Sequence, residues 1–161
     1  MLRWIKIALV TLVGLHALFY LAQNLANLGA AHSALAYVLS GAEHEVYTQT
    51  AFFHSGSSLF AWIALSFVLA GEGLTAFFGL KGGFDMFKAR GAAPNAFHRA
   101  KRAAVYAGAF ALLTWFGMFL TFGAAFFQMW QTQLGAGSYE GAFIYAMASA
   151  VTILFVYHTE D

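Results

Sequence analysis

Residues 51–80, AFFHSGSSLFAWIALSFVLAGEGLTAFFGL, carry a single carboxylate, Glu72, and no lysine or arginine. A helix needs about 20 predominantly apolar residues to cross the hydrocarbon core of a bilayer, and this run exceeds that length. Over the whole chain of 161 residues, 61 % are hydrophobic and 9 % are charged, against roughly 25 % charged residues in soluble domains. So few charges cannot cover a water-facing surface, and the sequence therefore predicts an integral membrane protein.

Four apolar segments predict an all-α fold, a single transmembrane domain over residues 1–161 built as a four-helix bundle. The expected spans cover about residues 4–25, 51–80, 103–130 and 141–157. The first span is long and aromatic-rich for the core of a signal peptide, so we expect it to stay uncleaved. There is no cysteine, which excludes disulfides, thiolate metal sites and cysteine nucleophiles.

The basic residues predict the topology. All eight lie at the N-terminal start of the first span or between the second and third spans: Arg3, Lys6, Lys81, Lys88, Arg90, Arg99, Lys101 and Arg102. Because basic residues accumulate on the cytoplasmic side of a membrane, we expect both termini and the second loop to be cytoplasmic. The six basic residues of that loop are expected to contact anionic lipid, not nucleic acid, because the net charge of the chain is only +1.

The loops carry two further helix signals. In the first, external loop, HSALAYVLSG (32–41) has apolar residues at helical spacing before Gly41, and predicts a short amphipathic helix on the outer surface. In the second loop, FDMFKAR (84–90) predicts a short interfacial helix, and Asn95 is a candidate cap for span three.

Glu72 is the first candidate functional residue. Eight residues separate it from Lys81, roughly 12 Å at helical rise, which places it inside the hydrocarbon. A carboxylate there is costly and must face other helices, a cavity or a partner. It could serve as a proton relay, an ion site or a charged contact, or it could be a hydrogen-bonded residue that fastens the bundle with a neighbour such as Thr75.

Two histidines are further intramembrane candidates, His16 inside span one and His54 near the outer end of span two. Either could serve a haem or a quinone, although a histidine at such a position more often only forms hydrogen bonds. At helical rise His16 lies roughly 15 Å above Lys6 and His54 roughly 40 Å above Lys81. The two residues are not level, so a haem held between them is not expected. Neither a metal site nor a catalytic signature is predicted.

The run WFGMFLTFGAAFFQMWQ (115–131) is rich in aromatic residues and contains two glycines. A partner helix, a carotenoid or a lipid could pack on such a face, or the aromatic rings could simply face the bilayer. The residues that would form this packing surface are Trp115, Gly117, Gly123, Phe126, Phe127 and Trp130.

Four segments together carry a family resemblance over nearly the whole chain: YVLSG (37–41), AGEGLTAFFGLKGG (70–83), AFHRAK (96–101) and FFQMWQT (126–132). The chain resembles a bacterial family of predicted small integral membrane proteins that is a domain of unknown function. By that resemblance Glu72 matches a carboxylate usual in the family, and Asn24 matches an asparagine after the first span.

The chain also departs from that pattern. Ala125 and Phe126 stand where the resemblance expects glutamate and tryptophan, and Gly135–Ser138 replaces an expected Trp-Asn-Gly-Gln. The family's second carboxylate is therefore missing, which favours an adapted binding role over shared chemistry.

We expect a non-catalytic accessory or stabilising subunit that packs against a larger respiratory or photosynthetic complex in the bacterial inner membrane. The alternatives are a small proton-linked transporter that uses Glu72, or a redox anchor that binds haem or quinone through His16 or His54. No cofactor is predicted, although lipid, carotenoid, quinone or haem would each be compatible with the sequence.

Overall fold

The computed structural model describes residues 1–160, and these contain helices and no β-strand. In chain order the helices are α1 Leu2–Ala26, α2 Leu28–Ser40, α3 Ser58–Lys88, α4 Pro94–Ala100, α5 Arg102–Ala111, a π-helix Leu112–Phe126, a 3₁₀ turn Met129–Gln131 and α6 Gln133–His158. Four helical stretches are long and apolar enough to cross a membrane: Leu2–Ala26, Ser58–Lys88, Pro94–Phe126 and Gln133–His158. The predicted all-α fold with four spans is confirmed.

The predicted helix of the first loop is also present, as α2. It ends at Ser40, and Gly41 follows with φ 67°. Glycine adopts this left-handed conformation without the steric cost that a Cβ imposes, so it is well suited to terminate a helix. The ring of His54 lies directly over Gly41, in the space that a Cβ would need.

Helix α3 differs from the predicted second span at both ends. It begins at Ser58, where the Ser57 hydroxyl accepts a hydrogen bond from the backbone N–H of Phe60 (3.3 Å) and caps the helix. It continues to Lys88, so residues 84–88 belong to α3, and the segment 84–90 does not form a separate interfacial helix. Nothing interrupts the helix after residue 80, and Lys81 forms an ion pair with Asp85 one turn further on.

The third span begins at Pro94, earlier than predicted, because Lys101 keeps a helical conformation (φ −72°, ψ −9°) and joins α4 to α5. Proline suits the first turn of a helix, where its missing N–H costs nothing. The N-cap is Ala93, so Asn95 does not cap this span. At its far end the span stops at Phe126, before the predicted residue 130.

The connection to α6 is tight and lengthens that helix relative to the prediction. Gln128 takes a left-handed conformation (φ 55°), which turns the chain back. Thr132 then caps α6, because its hydroxyl accepts a hydrogen bond from the N–H of Gly135 (3.1 Å). As a result α6 starts at Gln133 and not near residue 141.

Glycine-mediated contacts join α3 to both α1 and α5. A Cβ on Gly79 of α3 would lie 2.7 Å from the backbone nitrogen of Gly14 in α1. On another face of α3, a Cβ on Gly82 would lie 2.7 Å from the backbone nitrogen of Ala104 in α5. Small residues let transmembrane helices approach closely enough for extensive van der Waals contact. Helix α3 is therefore in close backbone contact with both α1 and α5.

Three buried clusters follow one another along the bundle. The first contains Ile7, Val10, Met86, Phe97, Ala104 and Val156. The second contains Ala17, Ala76, Ala111, Trp115, Ala142 and Ala146. The third contains Val38, Leu39, Ala61, Ala124, Phe127 and Met129.

The two termini meet the second loop at the end of the bundle that holds the first cluster. Arg3 donates hydrogen bonds to the backbone oxygens of Arg90 (2.9 Å) and Ala92 (2.7 Å). Lys6 donates to the backbone oxygens of Thr159 and Glu160, both at 2.8 Å. We call this the basic end of the bundle.

The contact between α1 and α3 generates a stability prediction. Gly79→Ala forces the α1 and α3 backbones apart and should lower the free energy of unfolding by about 1–3 kcal/mol, the usual cost of overpacking. Gly73→Ala is the matched control, because its Cβ would make only an ordinary 3.7 Å contact with Leu21. Thermal unfolding in detergent micelles measures both variants. Equal melting temperatures would contradict the proposed close contact.

Candidate functional site

Glu72 lies on the buried face of α3 and is 1 % exposed. The side-chain amide of Asn24, near the end of α1, donates to Oε1 at 2.9 Å and to Oε2 at 3.1 Å. Within residues 1–160 no basic side chain forms an ion pair with this carboxylate. The predicted neighbour Thr75 does not donate a hydrogen bond to it, because its hydroxyl donates to the backbone oxygen of Gly71 (2.8 Å).

A small cavity of about 240 Å³ opens beside this carboxylate. We call it the Glu72 pocket, and its larger lining residues come from all four spans: Tyr20, Asn24, Glu72, Trp115, Phe119 and Tyr145. On the α6 side the lining consists of small residues: Gly137, Ser138, Gly141 and Ala142. Small side chains on α6 therefore leave the space that the pocket occupies.

Aromatic rings form most of the remaining wall. The rings of Trp115 and Tyr145 are 5.9 Å apart, and those of Tyr20 and Tyr145 are 5.1 Å apart, measured between centroids. The hydroxyls of Tyr20 and Tyr145 are hydrogen-bonded to each other. The π-helix contributes both Trp115 and Phe119 to this wall, which agrees with the frequent occurrence of π-helical turns at functional sites.

A larger apolar groove of about 560 Å³ adjoins the pocket. It shares Asn24, Phe119 and Ser138 with the Glu72 pocket. We call it the outer groove, and its further lining comes from α2, α3 and the π-helix, including Leu35, Val38, Phe60, Ala64, Met118 and Phe122. The pocket that contains the carboxylate and the apolar groove are therefore neighbours between the helices.

His16 packs behind the aromatic wall. Its ring lies 4.3 Å from that of Tyr145 and 5.6 Å from that of Trp115, and its buried Nε2 atom has no hydrogen-bond partner. The sequence identifies His16 as a candidate but does not predict these aromatic neighbours, because contacts between helices depend on how each helix is rotated about its own axis.

His54 lies elsewhere, in the connection between α2 and α3, with its ring 5.2 Å from that of His44. The structure therefore does not bring His16 and His54 together. Burial, reinforced by the neighbouring His54, lowers the pKa of His44 and favours its neutral form. Residues 1–160 contain no group of three or more histidine, cysteine, aspartate or glutamate side chains arranged to hold a metal ion.

The six residues predicted to form a packing surface do not share one environment. Trp115 and Phe127 are buried, and a Cβ on Gly123 would lie 2.7 Å from the sulfur of Met129. The half-buried Phe126 stacks on Phe52 (4.2 Å), and the half-buried Trp130 lies edge-on to Tyr47 (5.4 Å). A Cβ on Gly117 would meet only the Leu112 carbonyl of its own helix, at 3.8 Å.

The basic residues of the second loop are also divided. Arg90 stacks on Phe87, with its guanidinium carbon 4.1 Å from the ring centroid, and Arg102 donates to the hydroxyl of Tyr106. Lys101 is buried, whereas Lys88, Arg99 and Arg102 are exposed. Lys101 is thus the one buried member of the six, and the other five are exposed.

Comparison with known proteins gives one match. A family model described as predicted small integral membrane protein (DUF2165) matches residues 2–159. No curated protein and no solved structure matches the chain. Because the match extends over nearly the whole chain, the protein belongs to this family of predicted small integral membrane proteins.

Proposed function

We propose that this protein binds an amphipathic, lipid-soluble small molecule between its helices. The observation that carries the proposal is the position of Glu72, a buried carboxylate that lines a pocket adjoining an apolar groove, with three lining residues in common. The polar headgroup of the ligand would occupy the Glu72 pocket, and its apolar body would lie in the outer groove.

The hydrogen bonding of Glu72 supports a polar ligand. An ionised carboxylate offers about four acceptor positions, and the Asn24 amide is the hydrogen-bond donor found for both of its oxygens. A buried charge is costly unless it is paired and hydrogen-bonded. A headgroup that donates to the remaining positions would lower that cost, and this gain is a source of binding energy.

The outer groove supports an apolar body for the ligand. Small-molecule sites are typically concave, about 300–1,000 Å³ in volume, and mainly apolar with a few polar groups that fix orientation. The groove has a volume of about 560 Å³ and an almost wholly apolar lining, with Asn24 and Ser138 at its boundary with the pocket. This combination fits a lipid-like molecule better than a small soluble metabolite.

We also propose that the protein resides in a bacterial inner membrane with both termini in the cytoplasm. The supporting observation is that Arg3 and Lys6 meet the second loop and the C-terminal segment at the basic end. Concentration of basic residues at one end is the usual mark of the cytoplasmic side.

A second candidate role is that of an accessory subunit in a larger respiratory or photosynthetic complex. Gly117 supports it, because a Cβ on this glycine of the π-helix would meet only its own helix, and Leu113 and Phe116, nearby in sequence, are exposed. A partner helix could approach the backbone closely at such a notch. This role is compatible with ligand binding, since the notch is separate from the lining of both cavities.

Narrowing the outer groove tests ligand binding. Ala64→Phe places a benzyl group in the groove, and should weaken binding of the uncharged amphipathic dye Nile red by roughly an order of magnitude. The control is Ala70→Phe, an exposed residue of the same helix outside the groove. Fluorescence titration of purified protein in nanodiscs measures the affinity, and indistinguishable values for the two variants would contradict the proposal.

Single cysteines test the orientation, and the natural chain provides a background without cysteine. Thr48→Cys, in the exposed loop before α3, should react with a membrane-impermeant maleimide added to intact spheroplasts. Asn95→Cys, exposed near the basic end, should react only after permeabilisation. The reverse labelling pattern would refute cytoplasmic termini.

Native electrophoresis of mildly solubilised membranes tests the accessory role. Gly117→Leu fills the notch and should release the protein from a high-molecular-weight band to the size of the isolated chain. Ala148→Leu, an exposed substitution on α6, should leave the band in place. A wild-type protein that migrates alone would count against this role and leave ligand binding unaffected.

A further inference from the structure

We infer that the headgroup taken up by the Glu72 pocket is an organic cation, such as an ammonium or pyridinium group on a lipophilic body. This inference rests on the proposed function and narrows it to one chemical class of ligand. Two independent features of the pocket lead to it, its charge and its aromatic wall.

The lining of the Glu72 pocket contains an acidic side chain and no basic one. The polar or titratable groups that face it are Tyr20 and Asn24 from α1, Glu72 from α3, and Ser138 and Tyr145 from α6, with His16 behind the aromatic wall. None of the lining residues is lysine or arginine. An ionised Glu72 therefore lacks a protein cation in a medium where an unpaired charge is costly. A cationic headgroup would provide the missing opposite charge, whereas an anionic one would be repelled.

The wall of the pocket has the chemistry that recognises organic cations. Four aromatic residues line a cavity of about 240 Å³ around the carboxylate: Tyr20, Trp115, Phe119 and Tyr145. The face of an aromatic ring attracts a cation through its quadrupole, and rings of this kind form the cages that bind quaternary ammonium groups. Tryptophan is the strongest of these partners, and Trp115 is held in place by burial at 2 % exposure.

The volumes of the two cavities suit different parts of the ligand. The pocket volume of about 240 Å³ lies below the usual range for a whole small-molecule site, so it suits a headgroup. The adjoining outer groove, which shares Asn24 and Phe119 with the pocket, would take the apolar portion. A cation attached to an apolar body matches both compartments.

The test uses two dyes with one chromophore, a cationic alkyl-styrylpyridinium and the neutral alkyl-styrylpyridine. Full-length protein is placed in nanodiscs of zwitterionic lipid, and affinity is read from fluorescence anisotropy. We expect the wild type to bind the cationic dye at least about tenfold more tightly than the neutral one, and Glu72→Gln to remove that preference. Glu140→Gln, an exposed carboxylate of α6, is the matched control and should retain it.

A second variant keeps the test decisive if Glu72→Gln misfolds. Tyr20→Leu removes a ring that lines the Glu72 pocket but not the outer groove, without changing charge, and should weaken the cationic dye by about two- to tenfold while sparing the neutral dye. Lowering the pH should also weaken the cationic dye, because a proton on Glu72 removes the anion. Protonation of His16, behind the aromatic wall, would act in the same direction.

The outcomes separate this inference from the proposed function. Equal binding of both dyes, unchanged by Glu72→Gln, would overturn the cation assignment while leaving ligand binding in place. Absence of binding by either dye, together with no effect of Ala64→Phe on Nile red, would overturn both.

Discussion

The hydrogen bonds from the Asn24 amide to the Glu72 carboxylate are the interaction on which the site depends. A carboxylate within a transmembrane bundle persists only where protein groups replace its hydration. Asn24 does so from α1, and contacts both oxygens of a side chain that is otherwise buried. This pair fixes the rotation of α3 relative to α1, and it holds the carboxylate at the edge of a cavity.

The glycine contacts and the cavities occupy different parts of the bundle. Gly14, Gly79 and Gly82 bring backbones together toward the basic end, where neither the pocket nor the groove extends. Beyond Glu72 the spans are kept apart by α2 and by bulky residues such as Phe60 and Phe127, which line the groove. A tightly packed half thus supports an open half, which is how a small bundle can retain a preformed site.

Hydropathy was sufficient to predict the four spans, and the left-handed preference of Gly41 was sufficient to end α2. The ends of the spans were harder to predict. The Thr132 cap and the helical conformation of Lys101 extend helices through residues whose composition is typical of loops. Glu72 was predictable as a buried carboxylate, and the family resemblance pointed to Asn24. Their pairing was not predictable, nor was the cluster of His16, Tyr20 and Tyr145, because both depend on the relative rotation of helices distant in sequence.

The same geometry bears on the choice between a binding protein and a proton carrier. A proton relay needs titratable groups linked in series, but Glu72 is bonded to the amide of Asn24, and Tyr20 is bonded to Tyr145. The position at which the family resemblance expects a second carboxylate holds Ala125, which is exposed and outside the pocket lining. Gly137 and Ser138 belong to the segment that replaces the expected Trp-Asn-Gly-Gln. Their small side chains leave space beside Glu72. A single carboxylate with an open side and an aromatic wall is the arrangement on which the proposed ligand site rests.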